Sequence, residues 1–166
     1  MEEKVDARGL YLDLMKRCLT NMIYQDPDQK TLFTQTAWKR KISSLLAARH
    51  IKLVQIKPFD AQARSEGQDW PQQAHTMIGL KRLENLQFCI ENALAHDIPG
   101  DLIETGVWRG GAAIFMRAIL KAYQSTARTV WVADSFHGLP PPNPSKYPHD
   151  QGDIHYAFTD VAISLD

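Results

Sequence analysis

The chain has 166 residues, 44% apolar and 23% charged, the balance of an ordinary globular protein of one domain or part of one. Lysine plus arginine and aspartate plus glutamate both number 19, so no basic excess marks a nucleic-acid binder. No apolar run approaches the roughly 20 residues that span a bilayer. The acidic start Met1-Glu2-Glu3-Lys4 does not read as a signal peptide, so a cytoplasmic protein without membrane or nucleic-acid partners is expected. Cys18 and Cys89 each fall on the apolar side of a predicted helix and are expected to be buried, reduced thiols.

Tyr11, Leu14, Met15, Cys18 and Met22 recur at helical spacing, which predicts an amphipathic helix over 10–24, ended by Asp26-Pro27-Asp28. Beyond it the pattern weakens. Lys39-Arg40-Lys41 reads as the solvated face of a helix whose apolar side is Ile42, Leu45 and Leu46. Residues 51–56 form a short strand or an extended loop. The polar stretch 60–70 is expected to be a mobile lid. Met77, Leu80, Leu83, Leu86 and Ile90 then make the stripe of a helix that starts near His75-Thr76 and stops before Asp97-Ile98-Pro99-Gly100.

Asp101-Leu102-Ile103-Glu104-Thr105-Gly106 reads as a strand, and Gly110-Gly111 opens a helix through Ile114, Met116, Ile119, Leu120 and Tyr123. Thr129-Val130-Trp131-Val132-Ala133 is a second strand. Strand, helix and strand make one βαβ unit with parallel strands. A proline-rich loop follows Gly138, and Tyr156, Phe158, Val161 and Leu165 suggest another packed segment. Ser164-Leu165-Asp166 resembles a helix start, and the chain is expected to be the front part of a longer protein.

Glycines after a first strand let the backbone turn tightly into a helix whose N-terminus attracts an anion. Asp134, at the end of the next strand, is placed to take two ribose hydroxyls. That layout suits a nicotinamide dinucleotide or S-adenosylmethionine. The dinucleotide fingerprint is G-x-G-x-x-G, and Trp108 stands where its middle glycine would be in Gly106-Val107-Trp108-Arg109-Gly110-Gly111. Bulk there disfavours a diphosphate and favours a ligand with an amino-acid end. Glu104 can accept from its ammonium, directly or through water. Arg109 either faces its carboxylate or makes a structural ion pair. A βαβ unit with no ligand remains open. Ser135 and His137 do not make a hydrolase elbow, because His137 stands where that turn needs a small residue. The six histidines show no paired zinc spacing.

These strings resemble the macrocin O-methyltransferase family. The resemblance rests on Leu10-Tyr11-Leu12-Asp13-Leu14, Ile23-Tyr24-Gln25-Asp26, Asp69-Trp70-Pro71 and Ala74-His75-Thr76-Met77-Ile78-Gly79. It rests most specifically on Pro99-Gly100-Asp101, Glu104-Thr105-Gly106-Val107-Trp108-Arg109-Gly110-Gly111 and Thr129 to Phe136. It implies an α/β class I methyltransferase (Rossmann-like) fold, here truncated after its first βαβ unit. Residues 1–73 would be an N-terminal helix and lid segment, and 74–166 the S-adenosylmethionine-binding part.

Carried over residue by residue, the implied cofactor site is Glu104, Gly106, Val107, Arg109, Gly110, Gly111, Asp134 and Ser135, with Thr76 and Met77 beside it. Met77 and Trp70 are implied on the substrate side. The resemblance also implies a magnesium ion that helps deprotonate a sugar hydroxyl of a glycosylated small molecule. The family's Asp-Gly-Asp and Asp-Asp metal segments do not occur here. No metal ligand and no catalytic residue is therefore assigned, and the chain alone is expected to be inactive. A non-catalytic binding module, or self-association into a homo-oligomer through an unfinished sheet edge, stays open.

Overall fold

The computed structural model describes residues 6–31 and 37–164. The segment suggested by Leu165, and the helix start at 164–166, reach outside the described residues, as do the side chains of Lys39 and Arg40. The element order is α1 (Ala7–Leu19), β1 (Asp28–Thr31), α2 (Ala37–Ala47), β2 (Val54–Lys57), α3 (Ala61–Glu66), α4 (Gly79–Ala95), β3 (Leu102–Thr105), α5 (Gly111–Ala122) and β4 (Val130–Ala133). Three single 3-10 turns follow, at Pro148–Asp150, His155–Ala157 and Thr159–Val161.

The fold is α/β, and α5 is its centre. Eight of its 12 residues are buried, including Phe115, Met116, Ile119 and Leu120. A helix buried on most sides must be covered by several neighbours. Leu12 and Leu19 of α1 cover one flank, and Leu83 and Ile90 of α4 another. Strands β3 and β4 lie against it, parallel and in the register Leu102↔Val130 to Thr105↔Ala133. This is the βαβ unit the sequence predicts. The other face of the pair is open, with the paired Ile103 and Trp131 exposed.

Helix α1 differs from expectation in extent and in face. Asp6 caps its start by accepting from the Arg8 N–H. It ends at Leu19, where Asn21 takes the left-handed conformation (φ +55°) and breaks the ladder. The buried stripe is Leu12, Lys16 and Leu19, not Tyr11, Leu14 and Cys18. Both cysteines are exposed, and Cys89 lines an open depression that α4 shares with β3 and α5.

Strand β1 has no apolar residue and is not predicted by the sequence. It pairs antiparallel with β2, from Asp28↔Lys57 to Thr31↔Val54. Half of the expected lid is a helix. Asp60 accepts from the N–H groups of Gln62 and Ala63 to start α3, and Gly67 ends it at φ +66°. Arg64 holds this helix in place and is 2% exposed. Its Nε donates to Asp69 (2.6 Å) and its NH1 to the Thr20 carbonyl (2.9 Å). Among the described residues, no helix is long and apolar enough to cross a membrane.

Candidate cofactor site

The carboxyl ends of parallel strands are where α/β sheets bind ligands. Here β3 and β4 end side by side, and the Gly106 N–H donates to the Ala133 carbonyl at 2.9 Å. Between β3 and α5 the chain turns through three left-handed residues: Gly106 (φ +84°), Trp108 (φ +49°) and Gly110 (φ +77°). Glycine adopts this conformation freely, whereas a residue with a Cβ gives up about 1–2 kcal/mol. Trp108 is held there by its surroundings. Its Nε1 donates to the Asp160 carbonyl at 2.8 Å, and the Arg109 guanidinium lies 4.3 Å from the ring centre.

Asp134 locks the turn to the end of β4. One carboxylate oxygen accepts from the Val107 N–H (2.5 Å) and the other from the Phe136 N–H (2.9 Å). The Phe136 and then the Val107 N–H groups hold its pKa below the ordinary carboxylate value. The Trp108 and Ser135 N–H groups lower it further, so backbone N–H groups gather around this carboxylate at the cavity edge. Ser135 shapes the next turn: its hydroxyl donates to the Gly138 carbonyl (2.8 Å) and accepts from the His137 N–H (3.2 Å).

The N-terminus of α5 is largely occupied by the protein itself. The Gly111 N–H donates to the His75 carbonyl at 3.0 Å, and the Ala113 N–H to Glu104 at 2.9 Å. This corrects the expectation of free N–H groups offered to an anion. Glu104 is half-buried. Desolvation raises its pKa above the ordinary value, the Ala113 N–H works against that rise, and the nearby charge of Asp134 adds to it.

A cavity of about 640 Å³ opens at this edge, within the roughly 300–1,000 Å³ of small-molecule sites. Met77, Gly106, Asp134 and Ser135 line it, together with Trp108, Ala133, Gly138, Leu139, Pro140 and Val161. No atom lies within 4 Å of where a Cβ on Gly106 would stand, so there is open space above the turn. Four of the expected site residues therefore share one cavity.

The others do not. Glu104 faces a depression between α4, β3 and α5, with Ile78, Leu86 and Met116. Val107, Arg109 and Gly110 line another depression, with Phe136 and Ile163. Arg109 is engaged with the backbone. Its NH1 donates to the backbone carbonyls of Gln72 (2.6 Å) and Ala74 (3.0 Å), tying the glycine turn to the segment before α4. Thr76 is buried and accepts from the Ile78 N–H. Gly111 is a packing residue, since a Cβ there would lie 2.4 Å from the His75 carbonyl oxygen. Trp70 stands in a third hollow, with Phe158 and Asp160. The sequence reading missed Trp108, Leu139, Pro140 and Val161 as cavity walls. The proline-rich loop directly after a strand end was the available signal. Among the described residues, no three His, Cys, Asp or Glu side chains converge as a metal site.

A parallel strand pair, a glycine turn into a buried helix and an acidic residue closing the second strand define an α/β protein with a ligand cavity at its strand ends. The profile of the macrocin-O-methyltransferase (TylF) family matches residues 8–166. The chain belongs to this family.

It is 53% identical over 135 residues to a Streptomyces olivaceus protein, 8-demethyl-8-(2,3-dimethoxy-alpha-L-rhamnosyl)-tetracenomycin-C 4'-O-methyltransferase, covering 81% of this chain and 44% of that protein. It is 49% identical over 142 residues to mycinamicin III 3''-O-methyltransferase of Micromonospora griseorubida, covering 85% of this chain and 48% of that one. The solved structure of the O-methyltransferase NovP superposes with a TM-score of 0.75 at 40% identity, over 95% of this chain and 55% of that structure's. The chain thus spans about half the length of the relatives it matches.

Proposed function

We propose that the cavity at the β3–β4 edge binds S-adenosylmethionine, and that the protein serves methyl transfer to a sugar hydroxyl of a glycosylated secondary metabolite. Its fold would be the front of a class I methyltransferase domain. The observation that carries this reading is the filled N-terminus of α5. Glu104 and the His75 carbonyl already take two of the N–H groups a diphosphate would need, and Trp108 occupies the turn. What remains suits a ribose and an amino-acid end. The Asp134 carboxylate lines the cavity as an acceptor for ribose hydroxyls, and the space above Gly106 admits the backbone-like end of the ligand. Met77, Leu139 and Pro140 offer apolar walls to a base. Glu104 faces the neighbouring depression, where the Ala113 N–H holds it and its charge is felt by Asp134, so the reading has it meet the ammonium through water.

When bound, the sulfonium supplies an electrophilic methyl group. The task of this chain's residues is to hold that methyl in line with an acceptor oxygen and to exclude water, which lowers the barrier through orientation. The sugar acceptor is inferred from the relatives, whose names specify methylation at positions of glycosylated compounds. Magnesium is expected of the longer relatives, and no residue here is proposed as its ligand.

Calorimetry of the 166-residue chain with S-adenosylhomocysteine and with NAD tests this reading. Saturable binding of S-adenosylhomocysteine that Asp134→Ala removes is the expected result. Tighter binding of NAD overturns it.

A further inference from the structure

Trp70 and Phe158 meet edge to face, with centroids 6.0 Å apart and planes at 74°. Both rings stay partly open, 41% and 39% exposed. With the exposed Asp160 they enclose a hollow of about 250 Å³, below the roughly 300 Å³ at which whole ligand sites begin. It is sized for one ring of a larger molecule. His155 packs edge-on against Phe158 at 5.5 Å, and its Nδ1 lies 2.6 Å from the Asp153 carboxylate, which steadies Phe158 from its other side.

The hollow shares a wall with the larger cavity. The Asp160 carbonyl accepts from the Trp108 indole, and Trp108 and Val161 both line that cavity. A ligand ring against Trp70 would therefore sit beside whatever Gly106 and Asp134 hold.

We propose that Trp70, Phe158 and Asp160 form a subsite for one pyranose ring of the acceptor, adjoining the donor cavity. This rests on the methyltransferase reading above. A pyranose has an apolar C–H face and a rim of hydroxyls. The apolar face suits an open aromatic surface, and the rim suits a carboxylate that accepts hydrogen bonds. A phosphate would meet the charge of Asp160 unfavourably, and a plain hydrocarbon would strip that charge of water without replacing it. A cation also suits aromatic rings beside a carboxylate, so choline is the contrasting probe.

The test follows the tryptophan indole signals by NMR as methyl α-L-rhamnoside or choline is added, with S-adenosylhomocysteine affinity measured in parallel by calorimetry. The rhamnoside should bind weakly but saturably. Trp70→Ala should weaken it about fivefold or more, and Asp160→Asn about threefold, while S-adenosylhomocysteine affinity changes by less than about twofold. Trp70→Phe should retain most of the binding, which guards against a folding defect in the alanine variant. The subsite is wrong if S-adenosylhomocysteine binds and the rhamnoside does not. It is also wrong if both Trp70→Ala and Asp160→Asn leave the rhamnoside unchanged, or if choline binds more tightly. Failure of S-adenosylhomocysteine to bind removes the methyltransferase reading and the subsite with it.

Discussion

Among the described residues there are two sheets, each of two four-residue strands, and they are held together by different means. The parallel pair β3–β4 lies on α5 and is stitched at both ends by residues close to it. The Asp101 carboxylate accepts from the Thr129 N–H and the Trp131 indole at one end, and Asp134 grips the glycine turn at the other. The antiparallel pair β1–β2 leans instead on side chains far along the chain. The Gln29 N–H donates to the Gln72 side chain, the Gln72 N–H donates back to Asp28, and Arg64 stands 4.0 Å from Asp28. Apolar burial fixes the first pair, and a few long-range polar contacts fix the second.

The largest effect that would break this contrast is expected at Arg64. It is buried against Asp69, one of whose oxygens has no hydrogen-bond partner. Arg64→Leu leaves a buried carboxylate without its cation, which costs about 3–5 kcal/mol. Urea unfolding should show that loss, and limited proteolysis should cut within 28–57 before it cuts within 102–133. The double variant Arg64→Leu/Asp69→Leu should recover much of the loss, because the Asp69 charge leaves with its cation and, among the described residues, the more distant Asp28 is the one carboxylate left facing the site. A single-variant loss below about 1 kcal/mol, the scale of an exposed pair, would mean that β1–β2 does not depend on Arg64.

Gly111→Ala probes the other region, and two effects compete there. Alanine favours a helix by about 1 kcal/mol over glycine. The new Cβ, however, would lie 2.4 Å from the His75 carbonyl oxygen and 2.7 Å from the Thr76 Cβ. The first of these is backbone and cannot swing aside, so overpacking of about 1–3 kcal/mol or more wins. Thermal unfolding should show a net loss of about 1–2 kcal/mol. S-adenosylhomocysteine binding should weaken as well, since moving His75 and Thr76 moves Met77. A stabilised Gly111→Ala would show that the segment before α4 is not seated on α5.

The same contrast accounts for what the sequence could reveal. Leu102 and Val130 pack on the core, and the β-favouring Ile103, Trp131 and Val132 beside them announce the strands. Asp28-Gln29-Lys30-Thr31 announces nothing, because its partners are Val54–Lys57 and Gln72. On α1 two stripes compete, and the choice between Leu14 and Leu12 is made by α5, about a hundred residues further on. Gly106 and Asp134 were legible because the turn after a strand is local chemistry, whereas Ser135 and Met77 were reached through the family resemblance alone. The backbone bonds of Arg109 were not legible, because its carbonyl partners lie in a segment with no regular pattern.

The smallest expected effect runs in the opposite direction, at Glu104. Burial raises its pKa above the ordinary 4.5, so the folded protein ionises it less readily than the unfolded chain does. Below 4.5 both states hold the proton and no penalty arises. As the pH rises through the folded value, the folded state must carry a half-buried charge, and stability is lost. Glutamine keeps an oxygen for the Ala113 N–H and carries no charge. Glu104→Gln should therefore be at least as stable as the parent at neutral pH, with the difference closing as the pH falls below 4.5. Its affinity for S-adenosylhomocysteine should drop by roughly tenfold, the scale of one lost charge-assisted contact. A charge kept at a cost to folding and needed for binding belongs to the ligand. If the glutamine variant is instead the less stable at neutral pH, the carboxylate serves α5 as an N-terminal charge, and the ammonium partner must be sought on the cavity wall itself.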